Sequence, residues 1–334
     1  MTGTGDERDG ERPADEPAPL LPSSFQGHVR AARDELGSQV AHARAGFEEA
    51  NARIRQRTGR DLILAILIGI GVGAVGFVSI VFVNWPFVVF ASAIALLGVF
   101  EFSRALRAAD RRVDVAPQLV GGALVLLSGY FFGMWQHFVA LVVAVCFVIV
   151  WRLVAQMSAR DGRTYGAVVG DVLTAGFVQV YVPFLTSLAL VLLRQENGTW
   201  WVLAFLIVVI AADTGAYATG ILIGRHPMAP RISPKKTWEG LAGAALASLV
   251  AGVLLAWLML HLPWWTGIVF GLTVLVTATV GDLAESMVKR DLGIKDMSSW
   301  LPGHGGVLDR LDSILPSAVA ALALYYVLFP LTAP

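Results

Sequence analysis

Cysteine is almost missing from this chain: of 334 residues one is Cys, Cys146, and it sits in an apolar run. A disulfide framework and a cysteine-based metal site within one chain are thereby excluded. Charge is scarce as well, at 15% Asp, Glu, Lys and Arg, and the formal net charge is zero. There is no basic surplus to draw nucleic acid, which is not expected among the partners. The N-terminus also lacks a secretory leader pattern; it is acidic and proline-rich, so no signal peptide is expected there.

Apolar surface is what the chain has in quantity. Hydrophobic residues make up 56% of it and the mean hydropathy is +0.67, which points to an all-α, polytopic membrane protein. Residues 1–23 hold mostly Pro, Gly and acid and read as a disordered tail. Over 24–60, Phe25, Val29, Leu36, Val40, Phe47 and Ile54 fall on one helical stripe against Arg, Glu and Gln elsewhere, which predicts an amphipathic cytoplasmic helix. From 61 to 334 the chain reads as an integral membrane domain. Apolar runs of the length a bilayer requires, about 20 residues, lie near 62–83, 86–103, 117–134, 138–157, 166–193, 200–223, 239–260, 264–287 and 313–330. That predicts nine spans. The fifth contains Pro183 and is expected to kink or split.

Basic residues orient the spans. With the N-terminus in the cytoplasm, the tail and the loops near 104–116, 158–165, 224–238 and 288–312, together with Arg152 at the end of its span, hold 24 of the 25 Lys and Arg; only Arg194 falls outside. The positive-inside rule then places the C-terminus on the extracytoplasmic side.

Within this apolar frame the polar residues cluster. Asp171 and Asp213 fall inside spans, where an ionisable group is expensive unless paired or wet. For Asp171 a structural hydrogen bond and a functional role both stand. In DTGAYATG, Asp213, Tyr217 and Gly220 share a helix face, and the small residues admit a neighbouring helix or a ligand. Asp282, Glu285, Ser286 and Lys289 share another face, at spacings of three and four, and Asp309 and Asp312 repeat that spacing at the entry to the last span. A simple ion pair explains Glu285 and Lys289 taken alone. Two acid clusters on adjacent spans can instead converge on a hard divalent cation such as Mg²⁺, Mn²⁺ or Ca²⁺. Opposite charge comes from ISPKKTWEG, where Lys235 and Lys236 precede a helix start that Ser233 or Thr237 can cap. Taken alone these lysines need signal only topology; beside the acids they point to a metal–polyphosphate site. His304 stands in PGHGG, where glycines allow tight backbone beside a ligand.

The stretch SMVKRDLGIKDMSSWLPGHGGVLDRLD, 286–312, resembles the motif of the bacterial phosphatidate cytidylyltransferases (CDP-diacylglycerol synthases). Ser286, Lys289, Arg290, Lys295, Asp296, Ser298, Leu301, Pro302, His304, Gly305, Gly306, Val307, Asp309, Arg310, Leu311 and Asp312 all match, and DTGAYATGILIGRH, ISPKKTWEG and GDLAES agree outside it. The resemblance covers about 213–313; spans one to five match only in being hydrophobic, and Arg225 stands where many relatives are expected to have Lys. It implies transfer of a cytidylyl group from CTP to phosphatidate, giving CDP-diacylglycerol and pyrophosphate in phospholipid biosynthesis. It also implies Mg²⁺ dependence with K⁺ as a candidate second ion, a homodimer among membrane lipids, and a multi-pass place in the plasma (inner) membrane with a polar cavity on the cytoplasmic side. Under it Asp282, Asp309 and Asp312 are the expected metal ligands. Lys235, Lys236, Lys289, Arg290 and Arg310 are phosphate contacts; Ser233, Thr237 and Ser286 offer hydroxyls, and Asp213 supports the site from within the membrane. His304 is left as ligand, phosphate contact or loop organiser. Two rivals remain in view. A polyprenol or phytol kinase, or an ether-lipid cytidylyltransferase, would use CTP on another lipid. An ion-coupled transporter would need inverted repeats, and no repeat is found.

Overall fold

The computed structural model describes residues 62–159, 161–298, 300 and 305–331; the expected tail at 1–23, the expected amphipathic helix at 24–60 and His304 lie outside the described residues. Ile63–Pro334 forms one compact unit. The helices are α1 Leu62–Phe82, α2 Asn84–Ala108, α3 Val115–Phe131, α4 Met134–Ser158, α5 Tyr165–Gln179, α6 Leu185–Leu193, α7 Gly198–Ile223, α8 Trp238–Leu258, α9 Trp264–Asp291, the short α10 Leu308–Leu311 and α11 Ile314–Leu328. Among the described residues seven helical stretches are long and apolar enough to cross a membrane, and Gly73–Phe82 and Val115–Phe131 are shorter apolar helices.

The exterior is apolar: Phe82 and Trp135 are each 76% exposed, as befits helices whose outward faces meet acyl chains rather than water. Trp201 anchors the interior, edge-on to Tyr325 at 5.3 Å and to Phe270 at 5.9 Å. Buried polar groups find partners across helices. His137 on α4 lies 2.8 Å from Ser128 Oγ of α3 and 3.1 Å from Ser187 Oγ of α6. Gln179 Nε2 donates to the Gln118 backbone carbonyl at 2.9 Å. Such bonds meet the demand that polar groups be satisfied where no water reaches.

Three features bear on the site. The fifth predicted span is divided, as Pro183 foretold: a π-helical turn at Val180–Phe184 separates α5 from α6, absorbing the amide that proline lacks. The 224–238 segment, expected as a loop, folds into an antiparallel hairpin of β1 Pro227–Ala229 and β2 Ser233–Thr237, with Pro227 opposite Thr237. The prolines at 227, 230 and 234 disfavour helix, and the Ile232 N–H closes the turn onto the Ala229 carbonyl at 3.1 Å. Third, α8 packs closely on both α7 and α9 through glycine. A Cβ at Gly215 would stand 2.6 Å from the Gly243 carbonyl oxygen, and one at Gly267 would stand 2.5 Å from that of Gly252. The small residues of DTGAYATG therefore admit a helix, α8, as their spacing allowed.

Candidate active site

α9 runs to Asp291, four residues past the expected end of its span, and its last turns carry the acids and bases singled out above. Asp282, half-buried, forms an ion pair with Lys236 of the hairpin. Ser286 donates to Asp282 Oδ1 at 3.4 Å. Glu285 is 1% exposed, and its carboxyl shares a hydrogen bond with that of Asp312. Lys289 Nζ stands 3.4 Å from Glu285 Oε2, an ion pair without the alignment of a hydrogen bond. The Lys289 ammonium bonds instead to Asp309 Oδ1 at 2.9 Å. Asp312 lies within electrostatic reach of Asp282, Glu285 and Lys289. Asp213, exposed on α7, faces the same group together with Lys236 and Arg310.

Asp309 has a second task. Its Oδ2 accepts from the Gly306 N–H at 2.7 Å and the Met297 N–H at 2.9 Å, so this carboxylate knits the loop ahead of α10 while Oδ1 holds Lys289. Gly305, at φ 83°, supplies the left-handed turn that the loop needs there. Asp282, Asp309 and Asp312 do not stand as a ready-made metal cage: among the described residues no three His, Cys, Asp or Glu surround a common ion position. The donor chemistry nevertheless suits a hard cation, because Asp282, Glu285 and Asp312 are oxygen donors within electrostatic reach of one another, with Glu285 and Asp312 sharing a hydrogen bond.

The hairpin delivers the bases. Thr237 caps α8, its hydroxyl accepting from the Gly240 N–H at 3.1 Å; of the two expected caps, this is the one in use. Lys235 is exposed and Lys236 is half-buried, while Ser233 opens β2 half-buried. Arg290 ties hairpin to helix end, its Nε donating to the Ile232 carbonyl at 3.2 Å and Nη1 to that of Ile294 at 3.3 Å. Glu239 adds a brace that sequence alone did not show, accepting from the Arg225 N–H at 3.1 Å, the His226 N–H at 3.2 Å and His226 Nδ1 at 2.5 Å.

Asp171 stands apart from this group. It is fully buried, pairs with Arg152 at 2.9 Å and Arg163 at 3.2 Å, and accepts from the Arg112 N–H at 3.1 Å. Its structural reading is the one the geometry favours. Nearby, the Gln156 amide holds the exposed Asp161 carboxyl below the usual carboxylate range. One residue was missed altogether. Glu101, on α2, is 2% exposed; it accepts from the Ser298 hydroxyl at 2.5 Å and the Leu308 N–H at 2.9 Å. A lone acid in LLGVFEFSRAL was the signal, muted because it lies near the end of an apolar run.

A profile described as the cytidylyltransferase family matches residues 63–328. Among curated proteins the chain is 40% identical over 290 residues to a phosphatidate cytidylyltransferase of Mycobacterium bovis, covering 85% of this chain and 95% of that protein. It is 38% identical over 276 residues to the phosphatidate cytidylyltransferase of Mycobacterium leprae, covering 79% and 88%. To that of Brucella suis it is 34% identical over 245 residues, covering 72% and 83%.

Proposed function

The chain belongs to the cytidylyltransferase family, and on that premise we propose how its residues share out the reaction. The activity is that of a phosphatidate cytidylyltransferase, a membrane nucleotidyltransferase that makes CDP-diacylglycerol and pyrophosphate from CTP and phosphatidate. A phosphate oxygen of phosphatidate attacks the α-phosphorus of CTP; that O–P bond forms, the bond from the α-phosphorus to the bridging oxygen breaks, and pyrophosphate leaves with the electron pair. The nucleophile is already anionic at neutral pH, so no strong general base is required. The protein's work is to bring two anions together and to stabilise the departing charge.

The observation that carries the division of labour is the meeting of α9, the hairpin and the segment before α11, where Lys236 faces Asp282 and Lys289 faces Asp309. Lys235, Lys236 and the capped start of α8 take the nucleotide phosphates, with Ser233 and Thr237 beside them. Lys289, Arg290 and Arg310 serve the phosphates that approach from the loop side, with Ser286 as a hydroxyl donor, and Asp213 supports the cluster from α7. Asp282 and Asp312 hold a divalent cation, Mg²⁺ with K⁺ as the candidate second ion, and the buried Glu285 carboxyl beside Asp312 supports a cation at this place. Bound there, the metal supplies neutralisation of phosphate charge. Asp309 is proposed with them, though a cation sharing it must stand beside the Lys289 ammonium. His304 completes the set as ligand, phosphate contact or loop organiser.

The chain is a multi-pass protein of the inner membrane type. We further propose nine spans, a cytoplasmic polar cavity, a cytoplasmic N-terminus and an extracytoplasmic C-terminus, resting on the bias of Lys and Arg. The division proposed is a tail to 23, a cytoplasmic helix to 60 and a membrane domain to 334 whose catalytic part is 213–313. The working unit is a homodimer. Purified protein given CTP, phosphatidate and Mg²⁺ should release pyrophosphate in step with CDP-diacylglycerol. Release of CDP with a newly phosphorylated lipid would instead make it a kinase.

A further inference from the structure

We propose that Glu101 is a positioning residue for this site, a buried carboxylate on α2 that staples both ends of the loop bearing the last acids and bases; the proposal rests on the functional reading above. The loop leaves α9, passes Met297, Ser298 and Trp300, and re-enters helix at Leu308. Glu101 holds it at two points ten residues apart in sequence: Oε1 accepts from the Ser298 hydroxyl at 2.5 Å and Oε2 from the Leu308 N–H at 2.9 Å. The contact is built for close approach. A Cβ at Gly306 would stand 2.8 Å from Glu101 Oε2, so only glycine fits there without displacing the staple. One turn back on the same face, Leu308 and Leu311 pack on α2 beside Gly98, with their methyls 3.7 Å from where its Cβ would be, an ordinary contact distance. Beside the staple, Trp300 lies on Phe100 with ring centres 5.3 Å apart, and its backbone N–H donates to Ser298 Oγ at 3.3 Å.

An ionisable residue in an apolar span is costly unless its environment uses it. Glu101 is used fully, and by a segment two hundred residues away in sequence. Its partners are a hydroxyl and the first amide of α10, and α10 carries Asp309 and Arg310 and leads directly to Asp312. Asp309 draws the loop from the inside through Met297 and Gly306, and Glu101 holds it from the outside. Together they fix Asp312 and Arg310 in register with Asp282, Glu285 and Lys289 on α9. Through Glu101 the first half of the chain reaches the loop that carries the last residues of the site.

Gln at 101 separates position from charge. Its Oε1 can accept from Leu308 and its Nε2 can donate to Ser298 Oγ, so the staple survives without a carboxylate. Glu101→Ala, Glu101→Gln and Ser298→Ala are prepared in the full chain, and amide hydrogen exchange over 297–308 is followed without substrate, with 240–258 as internal reference. Steady-state rates are measured alongside. Glu101→Ala should speed exchange at Gly306 and Leu308 while leaving 240–258 unchanged. Its kcat should fall roughly a hundredfold, the scale of an ångström-sized misplacement, with the KM for CTP moving far less. Glu101→Gln should restore most of both readouts, and Ser298→Ala should fall between. Unchanged exchange in Glu101→Ala, or Gln failing as badly as Ala, overturns the staple. If Glu101→Ala does not fold, exchange at Leu308 in Ser298→Ala decides on the same terms. A protected loop in an unmodified protein that makes no CDP-diacylglycerol would sink the functional reading and leave the staple standing.

Discussion

Asp282 and Asp309 are acids of one kind in different surroundings, and substitution should separate them. Asp282 is half-exposed and its one ion pair, with Lys236, is partly open to solvent, where such pairs contribute about 0–1 kcal/mol. Asp282→Asn should therefore leave the melting temperature nearly unchanged. If it holds the metal, kcat should drop by about two to three orders of magnitude, the equivalent of a few kcal/mol of lost transition-state stabilisation, and high Mg²⁺ should not restore it. Near-normal turnover at limiting Mg²⁺ would remove Asp282 from the metal site. Asp309 is buried and takes three donors. An amide in its place turns an NH₂ toward either Lys289 or two backbone N–H groups. Asp309→Asn should lower rate and stability together, the stability loss being about 1.5–3 kcal/mol for one charge-assisted bond, read as an earlier thermal transition in detergent.

Lys236 is the third residue where chemistry and structure can be told apart. It reaches Asp282, so it either neutralises that acid alone or hands its charge to the nucleotide's phosphates. Lys236→Gln leaves Arg225, Arg231 and Lys235 in the same segment, so topology should survive. A phosphate role predicts an apparent KM for CTP raised roughly tenfold or more, the scale of a lost charge-assisted contact, with the KM for phosphatidate moving less. An unchanged KM for CTP in correctly inserted protein would leave this lysine a partner of Asp282 and a topology signal.

At the scale of elements, α8 is the piece that holds the second half together. It lies against α7 and α9 at glycine contacts where backbone meets backbone, and there no side chain can yield. A methyl at Gly267 would stand 2.5 Å from both the Gly252 carbonyl oxygen and the Val253 Cα, so the helices must separate. Gly267→Ala should cost about 1–3 kcal/mol by overpacking. Gly73, on α1, has open space around its would-be Cβ, and Gly73→Ala should stay neutral or gain up to about 1 kcal/mol of helix propensity. Thermal unfolding of the two variants in the same detergent checks the contrast; equal effects would mean that α8 and α9 do not rely on that approach.

The membrane orientation belongs to the whole molecule, and so does its test. Single cysteines at Glu196, between α6 and α7, and at Arg231, in the hairpin, are placed in a Cys146→Ser background. An impermeant thiol reagent should reach them from opposite sides of sealed vesicles, Arg231→Cys from the cytoplasmic side. Labelling of both from one side would overturn the proposed topology. The result also bears on catalysis, because CTP is water-soluble and phosphatidate keeps its tails in the bilayer. A site at the helix ends lets the head group meet the nucleotide without either substrate leaving its own medium.

Much of this was legible in the chain itself, because it is written in short-range statistics. Runs of apolar residues must be helical in lipid, so an all-helical membrane protein could be read, and seven of its helical stretches among the described residues are long and apolar enough to cross a bilayer. Pro183 cannot donate to the i−4 carbonyl, so a kink or split was expected in the fifth span, and a π turn stands there. The spacing of Asp282, Glu285, Ser286 and Lys289 puts them on one face whatever surrounds them, and motif and family came from residues close together in sequence. Pairing across the fold had no such local record. That Lys236 meets Asp282, that Asp309 spends its oxygens on Lys289 and two loop amides, that Asp171 is consumed by arginines, and that Glu101 reaches Ser298 and Leu308 were all decided by which helices lie side by side. Periodicity tells which face a residue occupies and not what that face will touch, so an acid such as Glu101 reads as an interruption of its span until the loop is found resting on it.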